Sequence, residues 1–249
     1  MKKNKANNKD YSEALPFAMG EKSRQKKARQ IHHLISAHLK KNTKKLILLD
    51  YGASIGTIAD YMSKYYKHVV GVDVDVNAIK KAKTTFKKKN LNFKVTTDER
   101  IPYKDDSFDI VIANQVYNCV ENQKLMFDEI YRILKPGGIC FLGARNRFVI
   151  IESQYKLPLL TFLPSRLADY YVRIMGKGNS FMGNKYLSHQ GIKKLCHKFI
   201  IHDYTIAVLR NPEKFGFDGL VKYKPISKLL PQSLILPFMP NYIFLLEKN

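Results

Sequence analysis

The sequence predicts an α/β fold built on a doubly wound, mostly parallel sheet. Short β-rich segments alternate with helix-like segments through the first 146 residues, as in parallel sheets that carry helices on both faces. A glycine-containing turn, "DYGASIG" at residues 50–56, joins one such strand to the following helix. The length of 249 residues suits one α/β domain with insertions.

The first predicted element is an amphipathic helix over Ser23–Lys41, where apolar residues recur at helical spacing between basic ones. Residues 1–20 are polar and turn-rich, and we expect them to fold over another part of the molecule. The predicted strands that follow are Leu46–Leu49, Val69–Val74, Phe93–Thr96, Phe108–Ala113 and Ile139–Leu142. The predicted helices between them are Thr57–Tyr66, Asn77–Lys89 and Gln123–Leu134.

The alternation stops after Asn146, where proline-punctuated apolar sequence begins. A helix is predicted to start after the cap residue Ser188 and to run to Phe199, and two last strands are predicted at His202–Leu209 and Tyr242–Leu246. Long connections in a compact domain usually carry function or close over a site. We therefore divide a single domain, 1–249, into an N-terminal helical segment (1–45), a core (46–146), a first insertion (147–187) and a last part (188–249) that contains a second insertion at 210–240.

The formal net charge of +22 admits two interpretations. A basic face would suit nucleic-acid phosphates or anionic lipid headgroups, whereas lysine spread over the whole chain is typical of an ordinary solvated surface. We favour the second interpretation, because lysine dominates over arginine and no aromatic-basic stacking module is evident.

The cysteines and the apolar segments indicate a cytoplasmic protein. Cys119, Cys140 and Cys196 have neither paired nor metal-ligand spacing, so we expect no disulfide and no metal site. The N-terminus does not resemble a secretory segment, and no apolar run approaches the roughly 18 to 20 residues that cross a bilayer.

The glycine turn predicts a ligand site. A tight turn from a parallel strand into a helix lets backbone N–H groups approach a ligand, and the helix N-terminus favours negative groups. The spacing Asp50-x-Gly52-x-Ser54-x-Gly56 matches neither the G-x-G-x-x-G dinucleotide motif nor the phosphate-binding P-loop.

Acidic residues are predicted to follow at the next strand ends. Asp73 ends the apolar run "VVGVD", where a carboxylate can accept both hydroxyls of a ribose. Asp75 is interpreted as a helix cap. Asp98 and Glu99 lie at the third strand end, either solvated or, for Asp98, as an acceptor for an adenine amino group.

Together these residues resemble the class I S-adenosylmethionine-dependent methyltransferases of the type 11 group, which includes quinone-biosynthesis enzymes. The resemblance covers about Leu46–Arg147, and its most specific part is "IPYKDDSFDIVIANQVYNCVENQKLMFDEIYRILKPGG". It implies a Rossmann-like sheet with an antiparallel last strand, lid insertions, and S-adenosylmethionine as the cofactor. The implied cofactor-binding residues are Asp50, Gly52, Ala53, Ser54, Gly56, Asp73, Val74, Asp98, Glu99 and Asn114.

This sequence departs from the family pattern at individual positions. Ser54 replaces the usual middle glycine, which is tolerable if its φ is negative. The acidic residue expected after the third strand is displaced by one, so Thr97 rivals Asp98. Cys119 stands where many relatives have histidine.

The first insertion resembles the lid of a subgroup associated with surface-polysaccharide biosynthesis, with Gln154 where relatives carry histidine. We expect Leu157, Leu160, Phe162 and Leu163 to fill the core of this lid, as an apolar helix pair. A hydroxyl acceptor would need a general base. The catalytic candidates are Glu152, His189 and Tyr117, with Asn118, Arg145 and Gln154 near the same opening.

Three classes of function follow. The leading one is methyl transfer to a small-molecule, saccharide or lipid-linked biosynthetic acceptor. The alternatives are an RNA methyltransferase, although Asn114 is not followed by the Pro-Pro-aromatic motif, and a catalytically silent S-adenosylmethionine-binding protein. The second insertion is expected either to pack on the sheet edge or to contact the inner face of a membrane peripherally, through its apolar residues and lysines.

Overall fold

The computed structural model describes residues 20–96, 100–152, 155–181 and 185–249. Its strands are β1 (Ile47–Tyr51), β2 (His68–Asp73), β3 (Leu91–Val95), β4 (Phe108–Asn114), β5 (Leu134–Arg145), β6 (Ile151–Glu152), β7 (Leu157–Pro158), β8 (Ile200–Asp203) and β9 (Asn241–Glu247). Its α-helices are α1 (Glu21–Leu39), α2 (Thr57–Ser63), α3 (Val76–Thr85), α4 (Gln123–Ile133), α5 (Ser165–Ile174), α6 (His189–Leu195), α7 (Thr205–Arg210), α8 (Lys224–Leu229) and α9 (Gln232–Ile235).

Seven of these strands form one sheet in the order β3-β2-β1-β4-β5-β9-β8. Strands β1 to β5 pair in parallel, and β9 is antiparallel to both β5 and β8. The chain begins in the middle of the sheet, moves to one edge, and returns past β1 to β4. The predicted doubly wound sheet, with one antiparallel strand, is confirmed.

Helices cover both faces of the sheet because its central strands are apolar on both sides. Leu48 and Leu49 are neighbours in β1 whose side chains point to opposite faces, and both are fully buried. On one face the core includes residues of α1, α2, α3 and α7. On the other face it includes residues of α4 and α6.

Several helix starts follow the predicted cap chemistry. The Asp75 carboxylate accepts a hydrogen bond from the backbone N–H of Ala78 at 2.9 Å, which confirms its role as the cap of α3. The Ser188 hydroxyl accepts from the N–H of Gly191 at 3.2 Å and caps α6. These hydrogen bonds fix where the helices leave the strand ends.

The predicted strand over His202–Leu209 is wrong beyond Asp203. Strand β8 ends there, since the Asp203 carboxylate accepts from the backbone N–H of Thr205 at 2.9 Å and α7 begins. In α7 the buried Thr205, Val208 and Leu209 have helical spacing. The helices predicted to end at Tyr66, Lys89 and Phe199 also stop earlier, at Ser63, Thr85 and Leu195.

The first insertion has a small core of its own. Tyr155, Leu157, Leu160, Val172 and Tyr186 are buried together. Leu163 packs against them, whereas Phe162 is 49% exposed, so the expectation holds for Leu157, Leu160 and Leu163 and is wrong for Phe162. The helix pair is wrong too, because in the described part of the insertion (147–152, 155–181 and 185–187) a single α-helix, α5, follows a short hairpin of β6 and β7 and a 3-10 turn.

The second insertion divides into two parts. Phe215 and Phe217 are buried in the core on the α1 face. Beyond them, short α and 3-10 turns interrupted by prolines leave Leu229 82% exposed and Phe238 71% exposed. Its first part therefore completes the core, and its second part stands over the end of the sheet. Among the described residues, no helix combines the length and apolar character required to span a membrane.

Candidate active site

The glycine turn at 52–56 is held against β2 by backbone hydrogen bonds. The N–H groups of Gly52 and Ala53 both donate to the carbonyl oxygen of Val72, at 2.8 and 3.0 Å. Gly52 has φ +81°, a left-handed conformation that glycine adopts without a steric penalty. A Cβ at this position would collide with Cγ2 of Val116, in the loop after β4. The turn is thus packed tightly against the neighbouring strand end.

Ser54 does not have the negative φ that would make it an easy replacement for glycine. Its φ is +51°, and its side chain is buried. A non-glycine residue in this region costs on the order of 1 kcal/mol, and such strain is concentrated at functional sites. The backbone N–H of Ser54 donates to Oδ2 of Asp73 at 2.7 Å, which holds the turn in this conformation.

Asp73 ends β2 beside the turn, as the sequence predicts. Its Oδ1 also accepts from the backbone N–H of Asp75, at 3.0 Å. Burial raises the pKa of Asp73, and the two backbone N–H groups oppose that rise. Each carboxylate oxygen keeps further acceptor capacity. Val74 follows at the rim of the site, where it is half-buried.

Asp50 lies at the end of β1, with 2% of its surface exposed. Burial raises its pKa to about 7, with Arg24 on α1 opposing the rise and Asp73 adding to it. Its Oδ2 is buried and has no hydrogen-bond partner among the described residues. A buried carboxylate oxygen without a donor suits a cationic or N–H-bearing ligand group.

The end of β4 forms the next part of the site. Asn114 is its last residue, and a Cβ on Gly143 of β5 would collide with Oδ1 of Asn114. Gln115 follows with φ +62°, and its N–H donates to the carbonyl of Gly143 at 2.8 Å. Asn114 therefore lies between the glycine turn and β5.

The third strand end is only partly described. Residues 97–99 lie outside the described residues, so the roles of Asp98, Glu99 and their rival Thr97 stay predictions. On either side of them, the Thr96 hydroxyl donates to the carbonyl of Arg100 at 2.9 Å. Gln154 also lies outside the described part of the chain.

Glu152 has a dense set of partners inside the lid. It is fully buried and forms an ion pair with Arg145. Its Oε2 accepts from the backbone N–H of Tyr155 at 2.7 Å, and the Tyr186 hydroxyl donates to Oε1 at 3.4 Å. These contacts join β5 to the lid.

Tyr117 and His189 also have protein partners. The Tyr117 hydroxyl donates to the carbonyl of Arg145 at 2.6 Å and accepts from the N–H of Leu187 at 3.0 Å, and burial raises its pKa. His189 Nε2 lies 2.6 Å from Oδ2 of Asp203, and its ring packs on Tyr242 with centroids 5.0 Å apart. Tyr117 and Glu152 thus both contact Arg145, whereas His189 contacts Asp203 and Tyr242.

A large pocket lies over the ends of β4 and β5 and the start of β9, where the sequence predicts that the second insertion closes over a site. We call it the sheet-end pocket; its volume is about 700 Å³. Its lining is mostly apolar, and α7, the second insertion and β9 supply most of the side chains. Asn114, Gln115 and Gly143 lie at its floor, and Lys26, Lys27 and Gln30 of α1 line its wall. The excess of apolar residues at 210–240 was one signal of it in the sequence.

Comparison with known proteins agrees with this geometry. A family model described as a methyltransferase domain matches residues 49–142. The ubiquinone biosynthesis O-methyltransferase of Bartonella tribocorum is 31% identical over 133 residues, which are 50% of this chain and 53% of that protein. The ubiquinone/menaquinone biosynthesis C-methyltransferase UbiE of Desulfotalea psychrophila is 30% identical over 123 residues, 45% of this chain and 50% of that one.

Residues 49–142 match a methyltransferase domain, and the resemblance of the sequence to the class I S-adenosylmethionine-dependent methyltransferases is confirmed. The chain spans about half the length of the two curated relatives. The plantazolicin methyltransferase BamL, solved in complex with a triazolic analogue and SAH, has a similar fold. It superposes with a TM-score of 0.61 at 15% identity, over 91% of this chain and 85% of that one.

The residues of this methyltransferase domain fit its cofactor, S-adenosylmethionine. The unpartnered Oδ2 of Asp50 suits a donor such as the amino-acid ammonium group. The Asp73 carboxylate lies beside the glycine turn, and its remaining acceptor capacity suits ribose hydroxyls. Burial raises the pKa of Asp73 and so disfavours its ionised form. Hydrogen bonds donated by a ligand to the ionised carboxylate would stabilise that form.

Proposed function

We propose that this protein transfers the methyl group of S-adenosylmethionine to a small-molecule acceptor with a largely apolar body, bound in the sheet-end pocket. The observation that carries the proposal is the adjacency of the two sites. Val116 contacts the glycine turn, and Asn114 and Gln115, two residues and one residue before it, lie at the floor of the pocket. An acceptor at that floor would reach the cofactor side without leaving the pocket.

The pocket favours a small molecule over RNA. A volume of about 700 Å³ with mostly apolar walls lies within the range of small-molecule sites. Nucleic acids are instead bound through their phosphates by basic grooves. The curated relatives named for quinone biosynthesis support a partly apolar biosynthetic acceptor in the same sense.

The chain's own residues act mainly by positioning and by excluding water. The bound cofactor supplies an activated methyl group, which needs an acceptor atom held in line with it. We assign Asp73 and Asp50 to holding the cofactor, and Asn114 to orienting the acceptor at the pocket floor. Apolar residues of the second insertion cover the pocket and limit access of water.

Among the three candidate bases, we propose His189 for a hydroxyl acceptor; it is not itself one of the residues that line the sheet-end pocket, but it contacts one of them. Its imidazole is oriented by the Asp203 carboxylate, the arrangement that holds a histidine base in one tautomer. Its ring packs on Tyr242, which lines the pocket. Glu152 and Tyr117 are engaged in contacts between β5 and the lid, so we give them structural roles in this proposal.

A binding and transfer experiment tests the proposed function. Calorimetric titration with S-adenosylhomocysteine should show binding to one site. Radiolabelled methyl groups from S-adenosylmethionine should then enter an organic-extractable fraction of source cells, and not the RNA fraction. Cofactor binding without transfer to any fraction would favour the silent module, and transfer to RNA would favour the alternative enzyme.

We also propose that the second insertion contacts an anionic membrane surface peripherally. Ile226, Leu229 and Phe238 are 62%, 82% and 71% exposed, and Lys222 and Lys228 lie in the same segment. Exposed apolar residues interleaved with lysines suit an interface with anionic headgroups. Such a contact would deliver a lipid-like acceptor to the adjacent pocket.

Liposome co-sedimentation tests this contact. Binding to vesicles with phosphatidylglycerol should be clear at low salt, weaker at high salt, and reduced by Leu229→Glu with Phe238→Glu. Val76→Glu is the matched control, since Val76 is 57% exposed on α3, away from the insertion. Failure to bind at low salt would remove the membrane contact and leave the pocket proposal untouched.

A further inference from the structure

The charged residues of the sheet-end pocket are all of one sign. Among the described residues that line it there are two lysines, Lys26 and Lys27, and no aspartate or glutamate. Both lysines belong to α1, and the remaining lining is apolar or uncharged. A pocket with this composition has a positive wall and an otherwise apolar interior.

Lys27 is drawn into that wall by the helix that carries it. It directly precedes Ala28 on the buried face of α1, and Gln30, three residues on, is only 7% exposed. The side chain of Lys27 is half-buried, with Nζ 5.4 Å from the centre of the Phe217 ring. The packing of α1 on the core fixes the backbone of Lys27, which places this residue among those that line the pocket.

The ammonium group of Lys27 forms no ion pair within the described chain, unlike other partly buried lysines. Lys135 lies 2.8 Å from Asp109, and Lys224 lies 2.8 Å from Glu213. Burial lowers the pKa of Lys27, and the neighbouring Lys26 lowers it further. A cation taken out of water without a counter-charge is destabilised, and a bound anion would relieve this.

We infer that the acceptor is amphipathic and carries a negatively charged group, a carboxylate, phosphate or phenolate, that binds Lys27 at the wall of the sheet-end pocket. The inference rests on the proposed function, because it specifies the chemical class of the acceptor bound there. The apolar body lies against the side chains of α7 and the second insertion, such as Leu209 and Leu230. The Gln30 amide, on the same flank of α1, is a further donor for the anion.

A pair of fluorescent dyes separates charge recognition from apolar burial. 1-Anilinonaphthalene-8-sulfonate is an apolar anion, and N-phenyl-1-naphthylamine is an uncharged molecule of similar shape. Both are titrated into the full chain and into Lys27→Met, Lys27→Arg and Lys22→Met. The Lys22 variant is the matched control, since Lys22 is exposed on the same helix and does not line the pocket.

We expect Lys27→Met to weaken binding of the anionic dye about tenfold or more, since hydrogen bonds to charged groups are the strong ones. The neutral dye should bind Lys27→Met as it binds the wild type. Lys27→Arg should retain the anionic dye, and Lys22→Met should change its affinity less than twofold.

Three results would overturn the inference: unchanged anionic-dye binding by Lys27→Met, equal losses of both dyes, or equal effects of the Lys22 and Lys27 variants. Titration with S-adenosylhomocysteine distinguishes the remaining case. Unchanged affinity in Lys27→Met keeps Lys27 with the acceptor, whereas a tenfold loss would assign it to the cofactor carboxylate and overturn the inference as well. If the wild type does not bind S-adenosylhomocysteine, the proposed function itself is contradicted.

Discussion

The two halves of the sheet end use different physical means to form a site. At the ends of β1 and β2 the site is polar: a short turn is fixed by backbone hydrogen bonds, and the carboxylates of Asp50 and Asp73 face it. At the ends of β4, β5 and β9 it is apolar, and long insertions form its walls. The first half is suited to one ligand of fixed chemistry. The walls of the second half can change with the insertions without disturbing the first half.

A buried ion pair joins the lid to the half formed by β4, β5 and β9. Arg145, in the last position of β5, binds Glu152 in the lid and donates to Oε1 of Gln115 at 2.5 Å. Gln115 in turn donates to Asn241 at the start of β9, at 3.0 Å. A polar hydrogen-bond network therefore holds together the ends of β4 and β5 and the start of β9, although the pocket beside them is mostly apolar.

Breaking that network has the largest expected effect. Glu152→Ala leaves Arg145 without its carboxylate, so the free energy of unfolding should fall by about 3 to 5 kcal/mol. Urea unfolding measures this, with Glu213→Ala, which removes an exposed partner of Lys224, as a control that should leave the transition unchanged. If Glu152 were instead the catalytic base, the variant would lose kcat at unchanged stability.

A branched side chain in the glycine turn should be nearly as damaging. In Gly52→Val the Cβ would collide with Val116, and φ +81° is unfavourable for valine, so we expect a loss of about 3 kcal/mol and no cofactor binding. Gly137→Val is the control, because Gly137 has φ +69° and open space on the side where a Cβ would lie. Equal losses in the two variants would show that the clash with Val116 contributes nothing.

Asp50 should make stability depend on pH on the cofactor side. Its folded pKa of about 7 lies above the ordinary value of 3.8, so the unfolded state binds fewer protons between these values and stability falls as pH rises through this range. Asp50→Asn should therefore stabilise the cofactor-free protein by on the order of 2 kcal/mol at pH 8 and little at pH 4. Thermal unfolding across this pH range checks the prediction. An equal gain in stability at both pH values would mean that the ionisation of Asp50 is not the cause of the gain.

The smallest effect is expected at Ser54. Ser54→Gly relieves the left-handed backbone at φ +51° but adds freedom to the unfolded chain, which leaves a net gain of about 0.5 kcal/mol. Calorimetric melting can resolve this change. A lower melting temperature would mean that the Ser54 side chain contributes more to the turn than its backbone costs.

The glycine turn and the ends of β1 and β2 could be predicted from sequence, because their sequence signals are local. The glycine spacing, Asp73 at a strand end and Asp75 as a cap are each determined within a few residues, and the described structure places them as expected. The φ of Ser54 could not be predicted, since it depends on the hydrogen bond from its N–H to Asp73.

The sheet-end pocket and the lid could be predicted only in outline, because their contacts join distant segments. Lys27 and Phe217 are far apart in sequence, and so are Glu152 and Arg145 from Tyr186. The predicted strand does not reach Leu209. The Asp203 carboxylate accepts a hydrogen bond from the N–H of Thr205, and this local contact starts a helix although the segment has a β-rich composition. Apolar content alone did not indicate which residues of 210–240 would be buried.

Titration of Asp73→Ala with S-adenosylhomocysteine is the most direct test of the central claim, that the polar half of the sheet end holds the cofactor. The variant loses the acceptor for Ser54 and for ribose hydroxyls, so binding should weaken by about 1 to 3 kcal/mol while the circular dichroism spectrum stays that of a folded chain. An unchanged dissociation constant in a folded variant would contradict the claim.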